Sequence, residues 1–232
     1  MQTIGMVGGL GPEASIDYYR LLLGRARALG ATEAPRIVIV SLDPTVALGM
    51  AGAQQWTEMA DYLVGAVDAL AGAGSAFAFL SANTAHVVFD EVRERSTIPL
   101  VSIVEAAAGE AVRRGFSTVG LLGTRFTMEG QFYPDVCRRR GVAVVMPRPE
   151  ERDYVHQKYV QELIPGRFLD ETRAGVLRVI ESMRDRDGIQ AVILGGTELP
   201  LLLRDAAPAV PYLDTTQIHV EAILQRAIGG SG

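Results

Sequence analysis

The sequence predicts an α/β fold of two similar units, each a parallel sheet flanked by helices, and three observations support this. Short apolar or β-branched runs alternate with longer helical patterns along the 232 residues, which is typical of βα units. Hydrophobic residues form 48% of the chain and charged residues 21%, which is enough apolar material for one large core or two small ones. The sequence also resembles itself at an offset of 112 to 115 residues.

Eight short runs are predicted to be strands because they are apolar or rich in β-branched residues. In chain order they cover residues 3–7, 37–41, 76–81, 100–103, 118–122, 143–146, 191–194 and 211–213. Helical patterns fill most of the intervals. The first helix is predicted over residues 13–29, because Pro12 lacks only an amide hydrogen that would have no partner in a first helical turn.

Three internal matches occur in the same order along the chain. Residues 3–9 match 118–124, residues 79–84 match 193–198, and residues 98–100 match 210–212. The nearly constant offset favours the duplication of one α/β unit over chance similarity. We therefore expect a first domain of residues 1–104 plus 212–232 and a second domain of residues 105–211.

The predicted ligand site follows from the predicted sheets, since open parallel sheets bind ligands beyond the carboxyl ends of their strands. The loops at those ends cover residues 8–12, 81–86, 123–127 and 195–200. If the two halves face each other, all four loops line one cleft. Such a cleft presents matching groups to both faces of a small substrate, as a racemase or an epimerase requires.

Composition excludes several partners and sites. The formal charge is −5 and the longest run of basic residues, 138–140, is short, so neither nucleic acid nor an anionic membrane is an expected partner. The most apolar stretch, 64–80, contains an aspartate and glycines and is too short for a membrane span. The single cysteine, Cys137, excludes an internal disulfide and a cysteine-based zinc site and fits a reducing cytosol, so we expect a cytoplasmic protein. The three histidines have scattered spacing, and we expect no metal.

The glycine-rich turn after the first predicted strand contains Gly8, Gly9 and Gly11. From Gly9 to Ala14 it fits the relaxed dinucleotide pattern G-x-G-x-x-A. The fit is weak, because a proline lies inside the turn and the acidic residue expected about 20 residues on has no good candidate; Asp43, at the end of the second predicted strand, is 32 residues after Gly11. An NAD-dependent oxidoreductase is therefore the least favoured function. Two other interpretations stay open: a turn that packs a helix closely on its strand, and a site for a substrate carboxylate at the helix N-terminus.

Hydroxyl and amide side chains gather in the other three loops, and we interpret them as carboxylate-binding groups without fixed positive charge. They are Asn83, Thr84, Thr124, Thr127 and Thr197. Capping of the next helix is the alternative for the first two. His86 and Glu198 are the candidate proton-transfer groups, although a solvated or capping role is the common alternative for such a histidine. Cys137 lies far from these loops in sequence and is interpreted as structural.

Six motifs that span nearly the whole chain in order resemble the aspartate/glutamate racemase superfamily. They are MVGGLGPEAS at 6–15, NTAH at 83–86, GLLGTRFTM at 120–128, FY at 132–133, TELPLL at 197–202 and DTTQIH at 214–219. The resemblance implies two pseudo-symmetric α/β domains with the active site in the cleft between them, no cofactor, no metal, a small carboxylate substrate and a homodimer. Members include amino-acid racemases, hydantoin racemases, maleate isomerases and arylmalonate decarboxylases.

The chain departs from the superfamily at the positions that carry its chemistry. In the superfamily's amino-acid racemases one cysteine precedes the Asn-Thr of the first motif and another precedes the Thr-Glu of the second. Here those positions are Ala82 and Gly196, which lie 114 residues apart, like the internal repeat. Some of these racemases also have an arginine after the second strand; residues 43–47 contain none, and Arg167 is a candidate replacement.

Neither alanine nor glycine exchanges a proton, and the loss of an essential base costs a factor of about 10²–10⁴ in rate. We therefore expect a cofactor-independent enzyme of this superfamily that acts on an amino acid or a dicarboxylate by thiol-independent isomerase or lyase chemistry. One alternative is an aspartate/glutamate racemase that is inactivated at its cysteines, by engineering or by divergence. Another is a non-catalytic protein that binds small carboxylates.

Overall fold

The computed structural model describes residues 1–204, 206–207 and 209–229. The chain divides into two compact units. The first contains Met1–Ile103 and His219–Gly232, and the second contains Val104–Ile218. Residues 230–232, which we expect at the end of the first domain, lie outside the described residues.

The described residues form eight strands in two parallel sheets. The strands are β1 (Ile4–Gly8), β2 (Ile37–Ser41), β3 (Phe77–Leu80), β4 (Leu100–Val101), β5 (Thr118–Gly123), β6 (Ala143–Val145), β7 (Ala191–Gly195) and β8 (Tyr212–Asp214). Every predicted strand is confirmed, with ends that differ by at most two residues. The largest difference is at β4, because a new helix begins at Ile103 and ends the extended segment early.

Helices fill the intervals, as the sequence predicts. They are α1 (Pro12–Ala28), α2 (Pro44–Gly52), α3 (Trp56–Gly72), α4 (Phe89–Arg95), α5 (Ile103–Arg113), α6 (Arg125–Glu129), α7 (Phe132–Arg139), α8 (Pro149–Lys158), α9 (Asp170–Asp187), α10 (Leu199–Leu203) and α11 (Thr215–Gly229). A 3₁₀ turn covers Thr84–Val88, and a π-helical turn covers Tyr159–Leu163. Proline is the first residue of α1, where its missing amide hydrogen costs no hydrogen bond.

The two sheets have the same topology. The strand order is β2-β1-β3-β4 in the first and β6-β5-β7-β8 in the second. β1 pairs in parallel with both β2 and β3, and Ile4 lies opposite Ile37 and Phe77. β5 pairs in the same way with β6 and β7. The repeated order agrees with the duplication that the internal sequence matches predict.

Helices cover both faces of the first sheet, so its central strands are apolar along their whole length. Ile4 and Met6 of β1 pack with Tyr18 of α1 on one face. Val7 packs with Leu63 of α3 on the other face. This alternation is the two-residue period of a strand, and it fixes the register of β1 because a shift of one residue would exchange the two faces.

The second unit has a core of its own. Leu122 of β5 and Val192 and Leu194 of β7 pack with Val176 and Ile180 of α9. All five side chains are buried. The central strands of this sheet are therefore firmly held beneath the loops that follow them.

β8 lies in a different unit from the one we expect. The sequence analysis places residues 212–232 in the first domain, whereas β8 pairs with β7 in the second sheet. Leu213 is fully buried opposite Ile193, and this burial is the physical reason for its place. The chain enters the first unit only at His219, within α11.

Gly9 and Gly30 both have a positive φ angle, but only Gly9 is also crowded by other atoms. Alanine substitutions at the two positions therefore measure the cost of the backbone conformation and the cost of crowding separately. Their φ angles are +80° and +81°, but a Cβ at Gly9 would collide with the Leu42 carbonyl oxygen, whereas one at Gly30 meets nothing within 4 Å. We expect Gly30→Ala to lose about 1–2 kcal/mol of stability. Gly9→Ala should lose a further ~1–3 kcal/mol through overpacking. Urea denaturation measures both losses, and equal losses would contradict the close approach of Gly9 to Leu42.

Candidate functional site

The candidate binding loops follow the two central strands of each sheet. β2 and β3 lie on opposite sides of β1, so the chain leaves β1 and β3 in opposite directions and a crevice opens at their carboxyl ends. β5 and β7 have the same relation in the second sheet. Each unit therefore places two of the predicted ligand loops at the point where open α/β sheets bind ligands.

The glycine-rich turn after β1 is held by Ser15 of α1. The Gly9 amide donates to Ser15 Oγ at 2.9 Å, and that hydroxyl donates in turn to the Gly11 carbonyl at 3.2 Å. The Leu42 amide donates to the Gly8 carbonyl at 2.9 Å. Because the Gly9 amide is used within the chain, these contacts favour the interpretation of the turn as close packing of a helix on its strand.

The loop after β3 buries polar side chains. Ser81, Asn83 and His86 are each at most 3% exposed, whereas Thr84 is half-buried. Ser81 Oγ lies 3.5 Å from Ser15 Oγ, so this loop adjoins the glycine-rich turn. In the described structure the Asn83 side chain makes no capping bond to the 3₁₀ turn that follows, so capping does not explain its burial.

His86 uses both of its ring nitrogens on backbone groups. Nδ1 lies 3.0 Å from the Ala82 carbonyl, to which it donates, and Nε2 accepts from the Ile103 amide at 3.3 Å. The ring stacks on Phe89 at 4.6 Å between centroids. Burial lowers the pKa of His86 to about 4, so the ring is neutral near pH 7. These bonds favour a structural role for His86 over the proton-transfer role that the sequence predicts.

Two threonines after β5 form a hydroxyl pair. Thr124 Oγ1 accepts from the Thr127 amide at 3.3 Å and caps α6. The two hydroxyl oxygens are 3.2 Å apart. Thr127 is fully buried and Thr124 is 6% exposed. The structure thus places both predicted hydroxyls at the carboxyl end of β5.

The loop after β7 contains a buried carboxylate with two hydroxyl donors. Thr197 Oγ1 donates to Glu198 Oε2 at 3.0 Å, and the Tyr159 hydroxyl donates to the same oxygen. All three residues are at most 5% exposed. Burial, followed by the charge of Glu198, raises the pKa of Tyr159 well above its ordinary value, so the phenol keeps its proton near neutral pH.

The Tyr159 ring lies in the space that a side chain at position 196 would use. A Cβ built on Gly196 would be 2.5 Å from the Tyr159 hydroxyl oxygen and from a ring carbon. Real Cβ atoms do not approach other atoms so closely, so even alanine at this position would displace the ring. Gly196 and the present position of Tyr159 therefore depend on each other.

Tyr159 is the residue at this site that sequence patterns do not predict. It lies in a helical segment 37 residues before Gly196, and nothing in the neighbouring residues distinguishes it from other buried helical tyrosines. Glycine at position 196, where the resemblance implies a larger residue, is the one sequence feature that points to a space for another side chain.

The remaining predicted residues have more ordinary surroundings. Arg167 is exposed, and its guanidinium donates to the Gln161 carbonyl in the segment that also contains Tyr159. Ala82 is half-buried, and its carbonyl is the one that accepts from His86. The structure thus joins Ala82 to His86 and Gly196 to Tyr159, but no described contact brings Arg167 to either position.

Two kinds of feature are absent from the ranges that the structure describes. No group of three or more His, Cys, Asp or Glu side chains is placed to hold a metal ion. No helix is long and apolar enough to cross a membrane.

Nearly the whole sequence matches a known family. Residues 7–223 match the Asp/Glu/hydantoin racemase family. The chain belongs to this family. A racemase relative, the broad specificity amino-acid racemase RacX of Bacillus subtilis (strain 168), is 25% identical over 224 residues, which cover 92% of each chain.

Two solved structures resemble this racemase-family chain over both of its units. An aspartate racemase homologue from Pyrococcus horikoshii OT3 is 33% identical, with a TM-score of 0.84. A protein from Yersinia pestis, provisionally described as an Asp/Glu racemase, is 31% identical, with a TM-score of 0.88. Each match covers 98% of this chain and 100% of the other. The superfamily that the six motifs indicate is thereby confirmed, while the equation of Ala82 and Gly196 with its cysteines stays a prediction.

The two buried histidines of the first unit predict a pH dependence. Burial lowers the pKa of His86 from 6.5 to about 4 and that of His219 to about 3. Both rings should therefore show the NMR signals of neutral imidazole at pH 5, whereas the urea-unfolded chain should titrate near pH 6.5. Because the unfolded chain takes up these protons first, the free energy of unfolding should fall as the pH is lowered from 6.5 towards 4. A folded-state titration near 6.5 would contradict the burial of these rings.

The contact between Gly196 and Tyr159 predicts the effect of a single methyl group. Gly196→Ala should lose about 1–3 kcal/mol of stability, because the added carbon overlaps the Tyr159 ring. Gly24→Ala is the matched control, since Gly24 is exposed in α1 and an added Cβ meets nothing within 4 Å. It should gain about 0.5–1 kcal/mol from helix propensity. Urea denaturation of both variants measures the two changes in stability. An unchanged midpoint for Gly196→Ala would show that the space beside Gly196 is open.

Proposed function

We propose that the chain is a cofactor-independent isomerase that acts on a small amino or dicarboxylic acid and needs no thiol for its chemistry. The observation that carries the proposal is the gathering of buried hydroxyl, amide and carboxylate groups at the switch points of both sheets, in a chain of the racemase family. The names of two relatives, an amino-acid racemase and an aspartate racemase homologue, support an amino acid as the substrate class.

Uncharged donors would hold the substrate carboxylates. Asn83 and Thr84 offer an amide and a hydroxyl after β3, and Thr124 and Thr127 offer hydroxyls after β5. Thr197 after β7 would donate to the substrate in place of its present bond to Glu198. A hydrogen bond to a charged carboxylate is stronger than one between neutral groups, so a few donors of this kind bind an anion without a fixed positive charge. Arg167 stays a candidate for a second carboxylate.

The one thiol of the chain is unsuited to proton transfer. Cys137 is fully buried in α7, and burial raises its pKa to about 11. A thiol with this pKa is almost entirely protonated at neutral pH and is a poor base. This supports chemistry that does not depend on cysteine.

The packing at Gly196 favours a diverged enzyme over a racemase inactivated at one position. A simple loss of a side chain leaves an empty space, whereas the Tyr159 ring fills the space at Gly196. The alternatives to this proposal are a non-catalytic protein that binds carboxylates and a lyase. The homodimer and the cytoplasmic location stay predictions.

Deuterium exchange tests the proposed activity. In D₂O the protein should replace the α-hydrogen of at least one of aspartate, glutamate, asparagine or glutamine and interconvert its enantiomers. Proton NMR measures the exchange and chiral chromatography the enantiomers. Ligand binding without exchange would indicate a binding protein, and release of CO₂ would indicate a lyase.

Threonine variants test the binding residues. Thr84→Val and Thr197→Val each remove a donor and should lower kcat/KM by about 10–100-fold, the worth of a hydrogen bond to a charged group. Thr118→Val is the matched control, because Thr118 begins β5 at the opposite end of the sheet, and it should stay within about twofold. Unchanged activity in both site variants would refute the assignment of these hydroxyls.

A further inference from the structure

A tyrosine and a glutamate of the second unit form a buried pair beside a position without a side chain. The Tyr159 hydroxyl donates to Glu198 Oε2 and occupies the space next to Gly196. We propose that Tyr159, together with Glu198, is a catalytic proton-transfer residue and acts from the space that a side chain at position 196 would fill. This inference rests on the proposed function, because it names the group that moves the proton in that reaction.

The position of Tyr159 is fixed by the turn that carries it. Tyr159 begins the π-helical turn, and the Ile164 amide donates to its carbonyl at 3.0 Å. π-helical turns are rare and occur frequently at functional sites. Glu162 in the same turn is 8% exposed, and its carboxylate accepts from Lys158 Nζ at 2.6 Å and from Thr172 Oγ1. These bonds tie the turn to α8 and α9, so the phenol is held in one place.

The hydrogen bonds of the pair fit a neutral phenol and an ionised carboxylate, which is the state that the proposed step requires. The phenol carries the proton, and the carboxylate accepts it together with the hydroxyl of Thr197. Since the pair consists of one phenol and one carboxylate, it can take up one further proton. It is therefore in the state of a base, ready to remove a proton from a substrate.

The proton-transfer step conserves atoms and charge. The bond between the α-carbon and its hydrogen breaks, and the electron pair stays on the α-carbon and is delocalised into the substrate carboxylate. The α-proton forms a bond with the Tyr159 oxygen while the original phenolic proton passes to Glu198 Oε2. The pair ends as a phenol and a carboxylic acid. The reverse transfer returns a proton to the same face of the α-carbon and gives exchange with retention, whereas inversion requires that a proton reach the opposite face.

The decisive variant is Tyr159→Phe, which keeps the ring beside Gly196 and removes only the hydroxyl. The α-hydrogen exchange of aspartate, glutamate, asparagine and glutamine in D₂O should fall at least ~100-fold. The KM of the fastest-exchanging amino acid should stay within about threefold, because the hydroxyl acts on the α-hydrogen and not on the carboxylate. A purely structural role would change KM and stability together with the rate.

Two further variants complete the test. Glu198→Gln keeps the shape of the pair and a hydrogen-bond acceptor but removes the carboxylate that takes up the proton, and it should show the same loss of exchange. Tyr212→Phe is the control, since the Tyr212 hydroxyl in β8 has no hydrogen-bond partner among the described residues, and its exchange rate should be unchanged. Urea denaturation of each variant confirms that it is folded.

Each outcome bears on one of the two proposals. If the unmodified chain exchanges and Tyr159→Phe keeps more than a third of the rate, this inference is overturned and the proposed function stands. If the unmodified chain exchanges none of the four amino acids, the proposed function fails and the inference fails with it. If Tyr159→Phe does not fold, Glu198→Gln decides, and undiminished exchange in that variant overturns the inference.

Discussion

The strand order of each sheet is the constraint on which the rest of the structure depends. Parallel strands need long crossover connections. The strand orders place β2 and β3 on opposite sides of β1, and β6 and β7 on opposite sides of β5. The loops after these neighbouring strands then diverge and leave room at one edge of the sheet. Because both sheets have the same order, the chain contains two such places, and several buried polar side chains lie at each of them.

The site at the carboxyl end of β7 in the second unit is distinguished by Gly196, which has no Cβ. Without a Cβ at Gly196, the Tyr159 ring lies against the backbone after β7, and its hydroxyl reaches Glu198. Tyr159, Thr197 and Glu198 are all buried, and the low dielectric constant of their surroundings strengthens the hydrogen bonds between them. In the first unit the equivalent loop is held differently, because His86 binds the Ala82 carbonyl and the Ile103 amide with its two nitrogens.

The fold follows closely from local sequence patterns, and the candidate site follows only in part. All eight strands and the start of α1 are visible as apolar runs and a proline signal, since these depend on neighbouring residues. The polar loops are predictable because they directly follow the strands. The role of His86 is not predictable from the neighbouring residues, since one of its hydrogen-bond partners, Ile103, is 17 residues away.

Tyr159 and β8 show the same limit at longer range. The contact of Tyr159 with Gly196 joins residues 37 apart, and no spacing rule connects them. β8 is correctly predicted as a strand, and the match of residues 98–100 with 210–212 makes it the counterpart of β4. The predicted domain boundary at residue 212 nevertheless places it in the first domain, whereas it pairs with β7 in the second sheet.

The central claim is that proton transfer in this chain needs no thiol, and removal of the one cysteine tests it most directly. Cys137→Ala gives a protein without any thiol and replaces one small buried side chain with another. The rate of α-hydrogen exchange in D₂O by the folded variant should equal that of the unmodified chain within about twofold. Exchange that is present in the unmodified chain and absent from Cys137→Ala would contradict the account.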